Sequence, residues 1–154
     1  QLIGRHPNGA AIYTDYAHTP DALKNSLCAI RPHINGRLCI VFGAGGDRDE
    51  QKRKMMGNVV EKFSDRAIVT DDNPRFEDPK LIRRQILDGC PGASEFNNRT
   101  EAIKAAIHEL KENDVLIISG KGHEHEQIIG YQSIPLDDAK IASDVIVNLG
   151  GDIN

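Results

Sequence analysis

Apolar residues along this chain follow two periods. Short runs of four or five alternate with stretches where apolar positions return every three or four residues. The first pattern marks buried strands and the second amphipathic helices. Ala10-Ala11-Ile12-Tyr13-Thr14 reads as a strand ending at Asp15. Thr19-Pro20 starts a helix, with threonine as cap and proline in the first turn. Leu23, Leu27 and Ile30 give that helix its apolar face, and Pro32 stands where it stops. Gly36 opens a second strand, Leu38 to Phe42, followed by the glycine-rich run Gly43 to Gly46. Asp47 and Glu50 are spaced as a capping box for a helix carrying Met55, Met56, Val59, Val60 and Phe63. Arg66 to Thr70 is the next strand, and Asp78-Pro79 caps a helix bearing Ile82 and Ile86. Ser94 to Asn97 reads as a short strand, and Asn98 with Glu101 begins a helix with Ile103, Ala106, Ile107 and Leu110 on its apolar face. Val115 to Ile118 is a buried strand, and a hairpin turns at Gly130. Asp137 or Asp138 caps a last helix with Ile141, Ala142, Val145, Ile146 and Leu149, and the tail from Gly150 to Asp152 is expected to fray.

Alternating strands and helices predict an α/β fold. The expectation is a Rossmann-like three-layer sandwich, with a mostly parallel sheet of about six strands and helices on both faces. Residues 1–154 form a single domain in this reading. Ligands in such folds sit beyond the carboxyl ends of the strands. The polar and glycine-rich segments all fall there: Asp15 to His18, Gly43 to Asp49, Asp71 to Arg75, and Gly120 to Glu124.

Composition narrows the classes. With 39% hydrophobic and 27% charged residues, the chain is neither fibrous nor disordered. A formal net charge of -4 disfavours nucleic acid or an anionic membrane as partner, while leaving room for a local basic pocket. No apolar run approaches membrane-spanning length. Cys28, Cys39 and Cys90 are odd in number, widely spaced and without a C-x-x-C, so a reducing cytoplasm is expected rather than a disulfide scaffold or a zinc site. The start at Gln1 rather than Met fits a piece of a longer protein.

The strand-end loops carry the candidate chemistry. Gly43-Ala44-Gly45-Gly46-Asp47-Arg48 begins like a dinucleotide fingerprint and departs from it where Arg48 replaces the third glycine. Its glycines are explained by a tight turn, but Arg48 between Asp47 and Asp49 is not; either acid is placed to aim the arginine at a ligand carboxylate. Asp71-Asp72-Asn73-Pro74-Arg75 also reads, taken alone, as an ordinary turn. Its two acids, amide and arginine equally suit a ligand carrying carboxylates and ammonium groups. Gly120-Lys121-Gly122-His123-Glu124 lacks the Ser or Thr and the earlier glycine of a phosphate-binding loop. His123 and His125 have no further metal ligand nearby in sequence, so no metal site is expected. Asp15, Tyr16 and His18 suit either a capped helix start or a contact to ribose, base or phosphate.

Together these loops resemble the Mur ligase family, over nearly the whole chain. Asp15-Tyr16-Ala17-His18-Thr19-Pro20 looks like the opening motif of its C-terminal domain, and Gly43 to Asp49 with Lys52-Arg53 and Met56-Gly57 like its glycine loop. Asp72-Asn73-Pro74-Arg75 and Gly120-Lys121-Gly122-His123-Glu124 complete the set. The resemblance implies the third, amino-acid-binding domain of an ATP-dependent ligase of peptidoglycan synthesis. The central ATPase and N-terminal UDP-binding domains, with the magnesium ligands, would then lie outside this chain. The D-N-P-R form implies meso-diaminopimelate as the amino acid added to UDP-N-acetylmuramoyl-L-alanyl-D-glutamate. By resemblance Arg48, Asn73 and Arg75 hold its carboxylates, with Asp72 and Pro74 in the same loop. Gly120 and Glu124 hold its distal head, and Asp15 and His18 close over ATP. One segment departs from the family pattern: Leu136-Asp137-Asp138-Ala139-Lys140 keeps the acids but not the charged pair that follows them in relatives. The rivals are a folylpolyglutamate-type ligase domain, a non-enzymatic nucleotide-binding or regulatory module, and a nicotinamide oxidoreductase.

Overall fold

The computed structural model describes residues 1–154. Nine strands and five helices follow in order: β1 (Leu2–Arg5), β2 (Ala11–Asp15), α1 (Pro20–Ile30), β3 (Leu38–Phe42), α2 (Gln51–Phe63), β4 (Arg66–Val69), α3 (Pro79–Leu87), β5 (Ser94–Glu95), α4 (Arg99–His108), β6 (Val115–Ser119), β7 (Glu126–Ile129), β8 (Gln132–Pro135), α5 (Asp138–Leu149) and β9 (Asp152–Ile153). Seven strands form one sheet in the order β5-β4-β3-β6-β2-β1-β9, and β7 with β8 makes a separate ribbon. The five strands from β5 to β2 are parallel, while β1 and β9 add antiparallel pairs at one edge.

Strand alternation builds the three layers. Ile40 and Phe42 of β3 face one core with Leu23, Leu27, Met56, Val60, Ile82 and Ile86 of α1 to α3. Cys39 and Val41 face the other, with Ile103, Ile107, Val145 and Ile146 of α4 and α5. The caps follow from local chemistry: the side chains of Thr19, Asp78, Asn98 and Asp137 each accept a backbone N–H in the first turn of their helix.

Four expectations change. The sheet has seven strands rather than about six, because β1 and β9 extend one edge in antiparallel pairs. The tail does not fray: Gly4 and Arg5 pair with Ile153 and Asp152, and Asn154 N–H reaches the Ile3 carbonyl at 2.8 Å. No capping box forms at α2; Glu50 is its cap without a side-chain bond, and the Asp49 carboxylate takes the Gln51 N–H instead. Met55 is 52% exposed, and Arg53 occupies the buried face of α2 beside Met56 and Val60. No helix is long and apolar enough to cross a membrane.

Candidate functional site

The central strands end together. Register places Asp15 beside Ser119, and Phe42 beside Val69, so the loops after β2, β3, β4 and β6 leave the sheet on one rim. There they enclose a cavity of about 440 Å³. Arg48, Asp72, Asn73, Arg75, Gly120 and Glu124 all line it, as does His18. Pro74 does not; its carbonyl presses on the glycine loop, where a Cβ at Gly46 would fall 1.7 Å from that oxygen. Asp15 does not line it either. Its carboxylate takes the Ser26 hydroxyl at 2.5 Å and the Tyr16 N–H at 2.8 Å, beside a separate, smaller cavity.

The two arginines meet over Gly45. A Cβ built there would lie 2.9 Å from Arg75 Nη1 and 3.5 Å from Arg48 Cγ, so glycine leaves room for both. Arg75 donates from Nη1 to the Gly46 carbonyl at 3.1 Å, and its backbone is tied to the ribbon through the Ile128 carbonyl at 3.0 Å. Arg48 is exposed, and its Nη1 donates to the Asp47 carbonyl at 3.1 Å. The sequence expectation that the Asp47 or Asp49 carboxylate would hold Arg48 is therefore corrected: the Asp49 carboxylate serves α2, and that of Asp47 approaches the Phe76 N–H at 3.5 Å.

Lys121 is fully buried, which the sequence did not reveal. Its ammonium donates to Asn73 Oδ1 at 2.7 Å and to the Glu126 carbonyl at 2.9 Å, and lies 3.2 Å from Asp72 Oδ1 and 3.7 Å from Glu124 Oε2. The Ile128 N–H also donates to Asn73 Oδ1, at 3.0 Å. With that oxygen taken twice, the Asn73 amide nitrogen is the group left to donate to a ligand. The cavity lining thus combines the donors of Arg48, Arg75 and Asn73 with the carboxylates of Asp72 and Glu124.

Charged pairs brace the site from below. Arg99 and Asp138 are both fully buried and joined through Arg99 Nε at 2.8 Å and Nη2 at 2.7 Å. Arg99 also donates to the carbonyls of Asp71 and Ser119, at 3.2 Å and 3.0 Å, and so links two of the strand-end loops. Asp138 therefore belongs to this pair, while Asp137 caps α5 and accepts from His125 Nδ1 at 2.9 Å. Arg83 holds Asp71 at 2.6 Å and Glu95 at 2.9 Å. Burial raises the Asp71 pKa above the usual carboxylate value despite that arginine. His123 packs edge-on against Tyr16, ring centroids 5.1 Å apart, and Gly122 at φ +56 lies on the same ring. An amphipathic pattern treats such buried charges as surface residues, and only their position directly after buried strands or at helix starts marks them.

The family model described as Mur ligase, glutamate ligase domain, matches residues 1–122. The chain belongs to the Mur ligase family. This Mur ligase domain is 54% identical over 138 residues to the UDP-N-acetylmuramoyl-L-alanyl-D-glutamate--2,6-diaminopimelate ligase of Caulobacter vibrioides, a match covering 90% of this chain and 28% of that protein. A solved UDP-N-acetylmuramoyl-L-alanyl-D-glutamate--2,6-diaminopimelate ligase superposes with a TM-score of 0.91 at 36% identity, over 97% of this chain and 31% of the other. A bifunctional folylpolyglutamate synthase/dihydrofolate synthase from Yersinia pestis superposes with a TM-score of 0.61 at 18% identity, over 97% of this chain and 30% of that one, and so shares the fold. The Mur ligase domain spans under a third of the length of these relatives.

Proposed function

We propose that this domain takes up meso-diaminopimelate for an ATP-dependent ligase that joins it to UDP-N-acetylmuramoyl-L-alanyl-D-glutamate in the cytoplasm. The observation that carries the reading is the meeting of Arg48 and Arg75 over Gly45, in one cavity with Glu124. Diaminopimelate differs from lysine by one carboxylate. A guanidinium binds a carboxylate through two parallel hydrogen bonds, and leaving it unpaired against lysine is costly, so arginine is a natural discriminator. In this reading Arg48, Arg75 and the Asn73 amide nitrogen bind carboxylate, with Pro74 shaping their loop. Asp72, Gly120 and Glu124 receive the distal head with its ammonium. His18, on the cavity wall, meets ATP from this side, and Asp15 fixes the turn that carries it through the Tyr16 N–H. ATP and Mg2+ otherwise bind to the rest of the ligase.

The test is substrate kinetics in the full-length ligase containing this domain. Arg75→Ala is expected to cost about 2–3 kcal/mol of meso-diaminopimelate binding, a rise in KM of roughly 30- to 150-fold. A wild-type enzyme using lysine as well as meso-diaminopimelate would falsify the assignment.

A further inference from the structure

Arg53 and Glu77, neither marked by the sequence as site residues, join the loops that carry Arg48 and Arg75. Arg53 projects from α2 with its side chain only 2% exposed. Its Nη1 donates to Glu77 Oε2 at 2.8 Å and to Gln85 Oε1 at 2.8 Å. Its Nη2 donates to Glu77 Oε1 at 2.9 Å and to the Gly45 carbonyl at 3.0 Å. The same Glu77 Oε1 accepts the backbone N–H of Asp47 at 2.6 Å. Glu77 follows Arg75 by two positions, and Asp47 immediately precedes Arg48. One carboxylate is therefore chained to the Arg75 loop and hydrogen-bonded to the Arg48 loop, while Arg53 holds Gly45, the glycine that the Arg75 guanidinium and the Arg48 side-chain stem both approach.

This clamp has backbone strain to hold. Asp47 and Arg75 both sit at φ 54, the left-handed region that non-glycine residues seldom enter, one in each loop. The loops also touch directly through the Gly46 N–H on the Asn73 carbonyl at 2.7 Å, so a shift in one is passed to the other. Arg53 Nε is buried without an acceptor, and its desolvation cost is offset only by the Nη contacts. The Arg53 guanidinium holds the Glu77 carboxyl below its ordinary pKa, so that carboxyl is ionised throughout the neutral range. An exposed ion pair contributes little, but removing one partner of a buried cation leaves it uncompensated.

We propose that the Arg53–Glu77 clamp is the positioning device that sets the gap between the Arg48 and Arg75 guanidinium groups, and hence how well the cavity fits a diacid. The inference rests on reading the cavity as a meso-diaminopimelate site. Glu77 touches no ligand in it; the residue acts through Arg48 and the Gly45 carbonyl.

The experiment uses the full-length ligase carrying this domain, assayed by ADP release with meso-diaminopimelate and ATP varied separately. Glu77→Gln keeps the shape and removes the charge. It is expected to raise KM for meso-diaminopimelate about tenfold, with kcat and KM for ATP within about twofold of wild type, a size typical of coupling between contacting residues. In an Arg48→Ala background the same substitution should add less than about twofold, because the group it positions is gone. Glu77→Asp keeps the charge but withdraws it by one methylene, and should raise the same KM by a smaller factor; it tests the clamp independently if Glu77→Gln does not fold. A KM unmoved in a folded Glu77 variant, an equal rise with and without Arg48, or a loss confined to kcat overturns the clamp. A wild-type ligase without meso-diaminopimelate-dependent ADP release overturns the site reading and the clamp with it. Wild-type turnover beside an unmoved variant overturns the clamp alone.

Discussion

Asp114 takes four hydrogen bonds on one buried carboxylate: from the Arg37 N–H at 2.8 Å, Arg37 Nε at 3.0 Å, Arg37 Nη2 at 2.7 Å and the Lys111 N–H at 2.8 Å. Burial alone would raise its pKa, but the Arg37 bond and the two backbone donors more than reverse this, and the net shift is downward. A carboxyl whose folded pKa is depressed adds stability above its unfolded value of about 3.9, and that stability is lost as pH falls through the folded pKa. Glu77 and Asp65, both also lowered, share this sign, whereas Asp71, raised by burial, opposes it. The chain should therefore hold a constant urea midpoint from neutral pH to about pH 5 and lose stability below about pH 4. Asp114→Asn leaves Arg37 half-paired and two donors facing an amide, and should cost about 2–3 kcal/mol at pH 7. At pH 3 the difference should shrink, since the carboxyl of the unfolded chain, with an ordinary pKa of about 3.9, is then mostly protonated; an equal deficit at both pH values would show that shape, not charge, accounts for the loss.

Between elements, Gly57 shows packing overriding propensity. It lies inside α2, where alanine would ordinarily favour the helix by about 1 kcal/mol. A Cβ there would fall 2.2 Å from the Ile86 carbonyl oxygen of α3, and Gly89 makes the reciprocal approach, 2.2 Å from the Lys54 carbonyl oxygen of α2. Backbone cannot move aside as a side-chain tip can, so Gly57→Ala should lower stability by about 1–3 kcal/mol despite the gain in propensity. A thermal midpoint equal to or above wild type would contradict this. The same distinction governs how much of the fold was legible. The helices of α1, α3, α4 and α5 could be read because their caps and apolar faces are local properties of the chain. β1 escaped notice because Gly4 interrupts it, and that glycine is needed where Asp152 O would meet a Cβ at 2.4 Å. β9 has no apolar run and exists through its pairing with β1. At the site, the loop residues lining the cavity were legible because unusual residue types cluster at strand ends, whereas Lys52, Arg53 and Met56, which line it from α2, carried no such signal. The supports of those loops, Arg53, Glu77, Arg99 and Lys121, were not legible: each depends on a partner distant in sequence or buried by the fold, and neither is encoded by local periodicity.

For the whole molecule, the proposed function sets one cavity against a reaction with several reactants. The strand-end rim brings together the side chains of Arg48, Arg75 and Asn73 with the carboxylates of Asp72 and Glu124, and in the proposed reading this set suits a small amino acid of balanced charge better than a nucleotide triphosphate. The net charge of -4 adds no long-range attraction for a polyanion. Joining an amine to a carboxylate requires that both reactants and the phosphoryl donor be held in register with water excluded, and orientation of this kind supplies a large share of the rate, up to about 7–11 kcal/mol. On the proposed function, a chain spanning under a third of its relatives' length supplies the orientation of one reactant. The 154-residue chain, assayed alone with ATP, Mg2+, meso-diaminopimelate and UDP-N-acetylmuramoyl-L-alanyl-D-glutamate, should therefore release no ADP above background. Calorimetry on the same sample should show weak uptake of meso-diaminopimelate that Arg75→Ala abolishes. Binding without turnover is what the proposed one-reactant role predicts, because in that reading the affinity resides in the rim while the rate depends on the rest of the ligase closing over it. Substantial turnover by the chain alone would mean that the phosphoryl donor is bound here too, and that the cavity serves more than the amino acid.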